Sequence, residues 1–125
     1  MDFDRVLIVD DSATSRMIIR RCCEIAGMVR AEFLEAEDGL RALSVLQEQT
    51  VDLILSDLRM PKMDGGTFIR KLGMKEDTRD IPVVVVSSIG NDAMERLLLA
   101  TGSVRGIIKK PISPEKVVEV VGGVT

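Results

Sequence analysis

Short apolar runs alternate with segments in which apolar residues recur at helical spacing, and this alternation restricts the fold more than any other feature of the sequence. It predicts five strands, at Arg5–Val9, Ala31–Glu35, Val51–Ser56, Ile81–Ser87 and Gly106–Lys109. It predicts five helices, at Ser12–Ala26, Leu40–Gln49, Thr67–Leu72, Asn91–Ala100 and Pro114–Val121. The first, third and fourth strands lack the polar alternation of a half-solvated sheet, so helices should cover both faces. We therefore expect a three-layer α/β domain with a parallel sheet and right-handed crossovers.

The chain has the length of one folding unit. Its 125 residues contain no internal repeat, low-complexity stretch or linker rich in Pro, Gly or Ser. We expect one domain over residues 1–125. Because no apolar stretch is long enough to cross a bilayer and no signal-peptide pattern opens the chain, we expect a cytoplasmic protein without a membrane partner.

Composition excludes several classes of function. The net charge is −3 with both signs interspersed, so there is no basic stripe for a nucleic acid. The chain has no histidine, which removes Ser-His-Asp and Cys-His catalysis and histidine-bound zinc. The adjacent Cys22 and Cys23 lie in a predicted helix, where we expect reduced, partly buried thiols. Chemistry is left to carboxylates, lysines and hydroxyls.

Five polar side chains follow the predicted strands: Asp10 and Asp11 after the first, Asp57 after the third, Ser87 at the end of the fourth and Lys110 after the fifth. Ligands of parallel sheets bind outside the carboxyl ends of the strands, so these residues should share one edge. Three carboxylates brought together repel one another unless a cation neutralises them. Oxygen ligands with room for water and phosphate suit Mg²⁺.

Some of these residues also have a purely structural interpretation. Asp11 or Ser12 can cap the first helix, and Asp57 taken alone can be a turn aspartate. Lys109 competes with Lys110 for the place beside the carboxylates, although strand alternation points the two side chains in opposite directions.

Four blocks of sequence resemble the receiver domains of two-component signalling: Asp10-Asp11-Ser12, the D-x-x-M-P-x-x-D-G stretch from Asp57 to Gly65, Ser87, and Lys110-Pro111. Glu35 to Gly39 is similar to the segment that opens the second helix of that family. The similarity runs nearly from end to end, and the combination of blocks is highly specific. It implies a flavodoxin-like, CheY-like fold with strand order 2-1-3-4-5.

The resemblance also implies the roles of the polar residues. Asp57 would accept a phosphoryl group from a histidine kinase. Asp11, Asp57 and the backbone carbonyl of Arg59 would hold Mg²⁺, with Asp10 acting directly or through water. Lys110 and the metal would offset charge on the transferring oxygens.

This chain departs from the family pattern among the residues that would respond to phosphorylation, which form the switch. Ser87 would hydrogen-bond the attached phosphoryl group and pull the following loop inward. Ile107 stands where the family usually has an aromatic residue, so the aromatic rotation described for the family cannot occur as such. A smaller movement of Ile107 and movement of the loop alone both remain open. An apparent one-residue insertion also lies between Gly102 and Lys110.

We therefore expect a phosphorylation-controlled switch that is not an enzyme beyond its own phosphorylation and dephosphorylation. A target protein would dock near the fourth helix, the fifth strand and the fifth helix, and chemotaxis is one plausible setting. One leucine of Leu97–Leu99 should face outward, either as an isolated exposed side chain or as a contact for a partner or for a second copy in a homodimer.

Two other functions share these elements. A small Mg²⁺-dependent phosphohydrolase of the haloacid-dehalogenase type would form an aspartyl-phosphate intermediate. In that class the nucleophile ends the first strand, which here is Asp10, and a second aspartate is required two positions later. This chain has Ser12 at that position. A flavodoxin-like electron carrier is permitted by the fold, but the chain has no Trp or Tyr to stack on a flavin.

Overall fold

A computed structural model of the protein describes residues 1–124, in which strands and helices alternate throughout. The strands are β1 (Arg5–Val9), β2 (Glu32–Ala36), β3 (Leu53–Ser56), β4 (Val83–Ser87) and β5 (Gly106–Lys109). The helices are α1 (Ala13–Ala26), α2 (Gly39–Glu48), α3 (Gly65–Gly73), α4 (Asp92–Ala100) and α5 (Pro114–Val121). None of the helices in this described part is long and apolar enough to span a membrane.

The five strands form one parallel sheet in the order β2-β1-β3-β4-β5. The last residue of β1, Val9, is in register with Ala36 of β2 and Ser56 of β3. Ser87 of β4 is in register with Lys109 of β5. The carboxyl ends of the strands therefore meet at one edge, and the predicted fold class and strand order are confirmed.

Each face of the sheet has its own apolar core. Leu7 and Val9 of β1 join one cluster, which also takes side chains from α2, α3 and α4. Val6 and Ile8 join the other cluster, which lies under α1 and α5. All four side chains are fully buried. Covering of both faces explains why the central strands are continuously apolar.

Strand β3 is shorter than the predicted Val51–Ser56 and begins at Leu53. The Asp52 side chain accepts hydrogen bonds from the amides of Asp4 and Arg5, each at 2.9 Å. This polar contact fixes the turn into the strand and keeps Asp52 outside the regular strand. A sequence pattern based on hydrophobicity cannot detect it.

Two other elements differ from the prediction by more than one residue. Strand β4 begins at Val83 and not at Ile81, since Pro82 has no amide hydrogen to donate to a neighbouring strand. Helix α3 begins earlier, at Gly65, because the Asp64 carboxylate accepts a hydrogen bond from a first-turn amide and caps the helix there. The remaining boundaries agree within one residue.

The leucine triplet of α4 exposes two side chains, so the prediction of one is wrong. Leu98 is buried, whereas Leu97 is 51% and Leu99 46% exposed. Consecutive helical residues are about 100° apart, so the two neighbours of a core-facing residue flank the contact with the sheet. Cys22 and Cys23 are both buried free thiols, more buried than the sequence suggested.

Candidate functional site

Three carboxylates lie together at the carboxyl edge of the sheet. One oxygen from each of Asp10, Asp11 and Asp57 lies within 4.8 Å of the others. The sheet register brings them there, since the Asp57 amide donates to the carbonyl of Val9 at 2.8 Å and so aligns the ends of β3 and β1. Asp10 and Asp57 are buried, and Asp11 is exposed. The cluster is therefore open to solvent on the side of Asp11.

Asp10 is held in place by three donors. Its Oδ1 accepts from the Ser12 amide at 2.9 Å. Its Oδ2 accepts from the Ser15 hydroxyl at 2.7 Å and from Lys110 Nζ at 3.0 Å. A fully buried carboxylate requires such partners, and three of its hydrogen-bonding positions are already in use. Sequence reasoning missed Ser15, whose only signal was a hydroxyl early in α1.

One carboxylate oxygen of Asp57 accepts a hydrogen bond from the backbone, and the other accepts one from a lysine. Oδ1 accepts from the Leu58 amide at 2.7 Å, and Oδ2 lies 3.3 Å from Lys110 Nζ. The following loop turns back tightly against it: a Cβ at Gly65 would lie 2.0 Å from the Asp57 carbonyl oxygen. Only glycine allows this close approach.

Lys110 bridges the two buried carboxylates. Burial disfavours its charge, but the hydrogen bonds and charges of Asp10 and Asp57 outweigh that effect and raise the pKa of Lys110 above its ordinary value. The side chain therefore stays protonated at neutral pH. A cis peptide bond joins Lys110 to Pro111.

Lys109 points away from the carboxylate cluster. Its Nζ contacts Asp92 Oδ1 at 3.0 Å and Glu95 Oε2 at 2.5 Å, both on α4. The hydrogen bonds that Lys109 donates, first to Glu95 and then to Asp92 in order of effect, raise the pKa of Lys109. The two neighbouring lysines thus face different partners, as strand alternation predicted.

Ser87 and Ile107 lie on neighbouring strands. Ser87 is fully buried, and its hydroxyl contacts Asn91 and the Ser88 carbonyl. Ile107 pairs with Val85 and packs, partly buried, against the cluster that includes Leu98 of α4. The Ile107 side chain is thus in contact with the core under α4.

Arg59 and Asn91 form a contact that sequence reasoning missed. Arg59 Nε donates to Asn91 Oδ1 at 2.9 Å, and Arg59 Nη2 donates to the Gly90 carbonyl at 3.3 Å. Asn91 Nδ2 donates to Ser87 Oγ at 2.9 Å. The only signal in the sequence was an asparagine at the expected start of α4.

The donor set fits a hard divalent cation. Asp10, Asp11 and Asp57 supply only oxygen, one of them from an accessible side chain, and no histidine or cysteine lies in the cluster. Mg²⁺ prefers such ligands and keeps several waters, for which the open side leaves room. With Lys110 beside it, the site can stabilise negative charge on a phosphoryl group that reaches Asp57.

Comparisons with known proteins agree with this geometry. A family model described as the response regulator receiver domain matches residues 6–122. A chemotaxis protein CheY homolog from Campylobacter jejuni is 32% identical over 123 residues, which cover 94% of this chain and 92% of that protein. The structure of the chemotaxis response regulator CheY4 of Vibrio cholerae has a TM-score of 0.83 at 28% identity and covers 99% of this chain and 100% of that chain.

Other relatives are much longer. The cyclic di-GMP phosphodiesterase response regulator RpfG of Xanthomonas campestris is 35% identical over 112 residues, which cover 89% of this chain and 29% of that protein. The chain spans less than a third of the length of the first curated relatives that it matches.

Proposed function

The chain belongs to the response regulator receiver-domain family, and from this membership and the geometry of its site we propose that it is a phosphorylation-controlled switch. Asp57 accepts a phosphoryl group from a histidine kinase in an Mg²⁺-dependent reaction, and the modified protein changes its affinity for a partner. The observation that carries this proposal is the placement of the Asp57 carboxylate, with two further carboxylates within 4.8 Å and Lys110 Nζ at 3.3 Å.

The metal site uses oxygen ligands. Asp11, Asp57 and the backbone carbonyl of Arg59 would hold Mg²⁺, which would offset charge on the transferring oxygens. Asp10 would contribute mainly through water, since its carboxylate already accepts from Ser12, Ser15 and Lys110. Its role would be to fix Lys110 and to add negative charge to the site.

The chemical step is an exchange of one bond to phosphorus for another. A carboxylate oxygen of Asp57 attacks the phosphorus of a kinase phosphohistidine and forms a P–O bond as the P–N bond breaks. The electron pair of the broken bond stays on the imidazole nitrogen, which takes up a proton from water. Lys110 stays protonated and stabilises the charge on the equatorial oxygens.

The output passes through β4, α4 and β5. Ser87 hydrogen-bonds the attached phosphoryl group, and the loop that follows β4 moves with it, with Ile107 adjusting behind α4. The target docks on α4, β5 and α5, where Leu97, Leu99 and Val118 are about half exposed. The same surface serves a homodimer if a second copy is the partner.

The test is phosphorylation of the purified chain. Acetyl phosphate with Mg²⁺ should add one phosphoryl group, seen by intact mass, and beryllofluoride with Mg²⁺ should shift proton–nitrogen resonances around Ser87. Asp57→Asn should abolish both responses and keep the resting spectrum. No Mg²⁺-dependent change in the wild type would refute the proposal. Sustained phosphate release from many small substrates would favour a phosphohydrolase, and a bound yellow flavin would favour an electron carrier.

A further inference from the structure

The N-cap of α4 makes different contacts from the N-caps of the other described helices. The N-cap side chains of the other four described helices each accept a hydrogen bond from a first-turn amide: Ser12, Asp38, Asp64 and Ser113. Asn91, the N-cap of α4, makes no such bond. Asparagine is among the best capping residues, and this one is only 8% exposed. Its amide is instead used for contacts with Arg59, Ser87 and Ser88.

Arg59 fixes the direction in which the Asn91 amide faces. A guanidinium group can only donate hydrogen bonds, so the group 2.9 Å from Arg59 Nε must be the Asn91 carbonyl oxygen. The Asn91 NH₂ group then faces Ser87 Oγ at 2.9 Å and the Ser88 carbonyl at 3.2 Å. Arg59 also reaches the carbonyl of Gly90, so it is anchored at two points of the same loop.

The Ser87 hydroxyl is occupied at rest. It accepts from Asn91 and donates to the Ser88 carbonyl at 3.2 Å, so both of these bonds stay within its own loop. The hydroxyl has one hydrogen, so it must give up the Ser88 carbonyl before it can donate to a phosphoryl oxygen on Asp57. In the switch proposed above, Ser87 also moves toward Asp57 and away from the Asn91 amide that donates to it. Whatever stabilises the resting contact therefore opposes capture of the phosphoryl group.

We propose that Asn91 is a positioning residue that retains Ser87 in the resting state, with Arg59 as the anchor that orients it. This inference rests on the proposed function and adds its regulation: Asn91 sets how far the equilibrium favours rest before phosphorylation. It also links two loops of the site, because Arg59 belongs to the β3–α3 loop and Asn91 to the β4–α4 loop. The switch is thereby biased without any contact between Asn91 and the three carboxylates.

The test is a titration with beryllofluoride at saturating Mg²⁺, followed by proton–nitrogen spectra. Asn91→Ala removes the bond to Ser87, and loss of one buried neutral hydrogen bond corresponds to roughly a three- to tenfold change in an equilibrium constant. The half-saturating concentration should fall by that factor. Without ligand, the Ser87 and Ser88 resonances should already lie part of the way toward their bound positions. Arg59→Ala should shift both measurements in the same direction by a smaller amount.

Three controls separate the inference from other causes. In a Ser87→Ala background, Asn91→Ala should leave the half-saturating concentration unchanged, because the retained hydroxyl is absent. The affinity for Mg²⁺ alone should be the same in Asn91→Ala and wild type. Thr78→Ala, which removes a buried hydrogen bond to the Leu72 carbonyl in the segment before β4, at the amino ends of the strands, should lower thermal stability without changing the titration.

The outcomes are distinguishable. An unchanged or raised half-saturating concentration in Asn91→Ala overturns the inference, as does an equal shift in the Ser87→Ala background. If the wild type itself does not bind beryllofluoride with Mg²⁺, the proposed function fails. A wild-type response with no effect of Asn91→Ala leaves the proposed function standing and rejects only the role of Asn91.

Discussion

At the scale of single residues, Lys110 and Lys109 show how one position decides a role. Both are lysines near the same edge of the sheet, yet Lys110 reaches Asp10 and Asp57 whereas Lys109 reaches α4. The difference follows from the alternation of side chains along β5 and not from any property of the residue type. Of these two lysines, only Lys110 therefore places its positive charge beside the carboxylate cluster.

Replacement of Lys110 should uncouple phosphorylation from the response. Lys110→Ala leaves two buried carboxylates without their cation, so the resting protein in chelator should lose about 1.5–3 kcal/mol of stability, the range for hydrogen bonds to charged groups. Mg²⁺ should restore part of this loss, and the response to beryllofluoride should be weakened. Urea unfolding with and without Mg²⁺ measures the loss of stability, and the beryllofluoride titration measures the weakened response.

Lys109→Ala is the matched control for this prediction. It removes contacts on α4 and should change neither the Mg²⁺ dependence of stability nor the beryllofluoride titration by more than a small amount. If Lys109→Ala, and not Lys110→Ala, weakens the response, the assignment of the site lysine is wrong.

The cysteines allow a second test at this scale. Burial raises the pKa of Cys23 to about 12, with smaller contributions from Cys22 and Glu24. Since the native state binds the proton more tightly, the thiol resists alkylation at pH 8, and both cysteines should react with iodoacetamide only after unfolding. The neutral thiol stabilises the fold below its unfolded pKa, and that contribution is lost as the pH rises toward 12. Rapid labelling of the native protein, seen by mass, would contradict the burial of Cys23.

At the scale of elements, the sequence predicts strands and helices where hydrophobicity alone decides them. Strand β5 and helix α5 match their predicted bounds, and the order of the sheet matches the one implied by the family resemblance. The differences arise where a polar side chain or a proline intervenes, as with Asp52 before β3 and Pro82 before β4.

The residues of the candidate site also fall into those that the sequence predicts and those that it does not. The residues at strand ends could be predicted, because the register of a parallel sheet brings such positions together. The contacts of Ser15 and Asn91 could not, since a hydroxyl or amide side chain has several possible partners and only the folded geometry selects among them. Both are short polar residues, whose side chains can bond either to nearby backbone groups or to more distant partners.

Helix α3 provides a prediction with its own control, because a glycine lies at each end. A Cβ at Gly65 would lie 2.0 Å from the Asp57 carbonyl oxygen, whereas a Cβ at Gly73 meets nothing within 4 Å. Gly65→Ala must displace the loop after β3, so it should weaken Mg²⁺ binding at least tenfold and destabilise the protein. Gly73→Ala should be neutral or stabilise the helix by roughly 0.5–1 kcal/mol. Calorimetric titration with Mg²⁺ and thermal melts compare the two, and equal metal affinity in both variants would contradict the close approach at Gly65.

At the scale of the whole molecule, the site and the global stability are linked through the sheet edge. Asp10 and Asp57 directly follow the central strands β1 and β3, so repulsion among the carboxylates acts on the core of the sheet. A cation that binds the folded state and not the unfolded chain stabilises the fold by mass action. Metal binding is therefore expected to be visible in unfolding, without any measurement of phosphorylation.

Asp11→Asn tests this link, since Asp11 is the exposed member of the cluster and can be changed without leaving a buried group unpaired. In chelator the variant loses one of three like charges, so its melting temperature should equal or exceed that of the wild type. With millimolar Mg²⁺ the order should reverse, because the wild type gains stability with each increase in metal and the variant gains much less. Ca²⁺, which is larger and more tolerant in geometry, provides a comparison of selectivity.

If Asp11→Asn gained as much stability from Mg²⁺ as the wild type, the exposed carboxylate would not be a ligand. The metal would then depend on Asp57 and backbone oxygen, with Asp10 still occupied by its three donors.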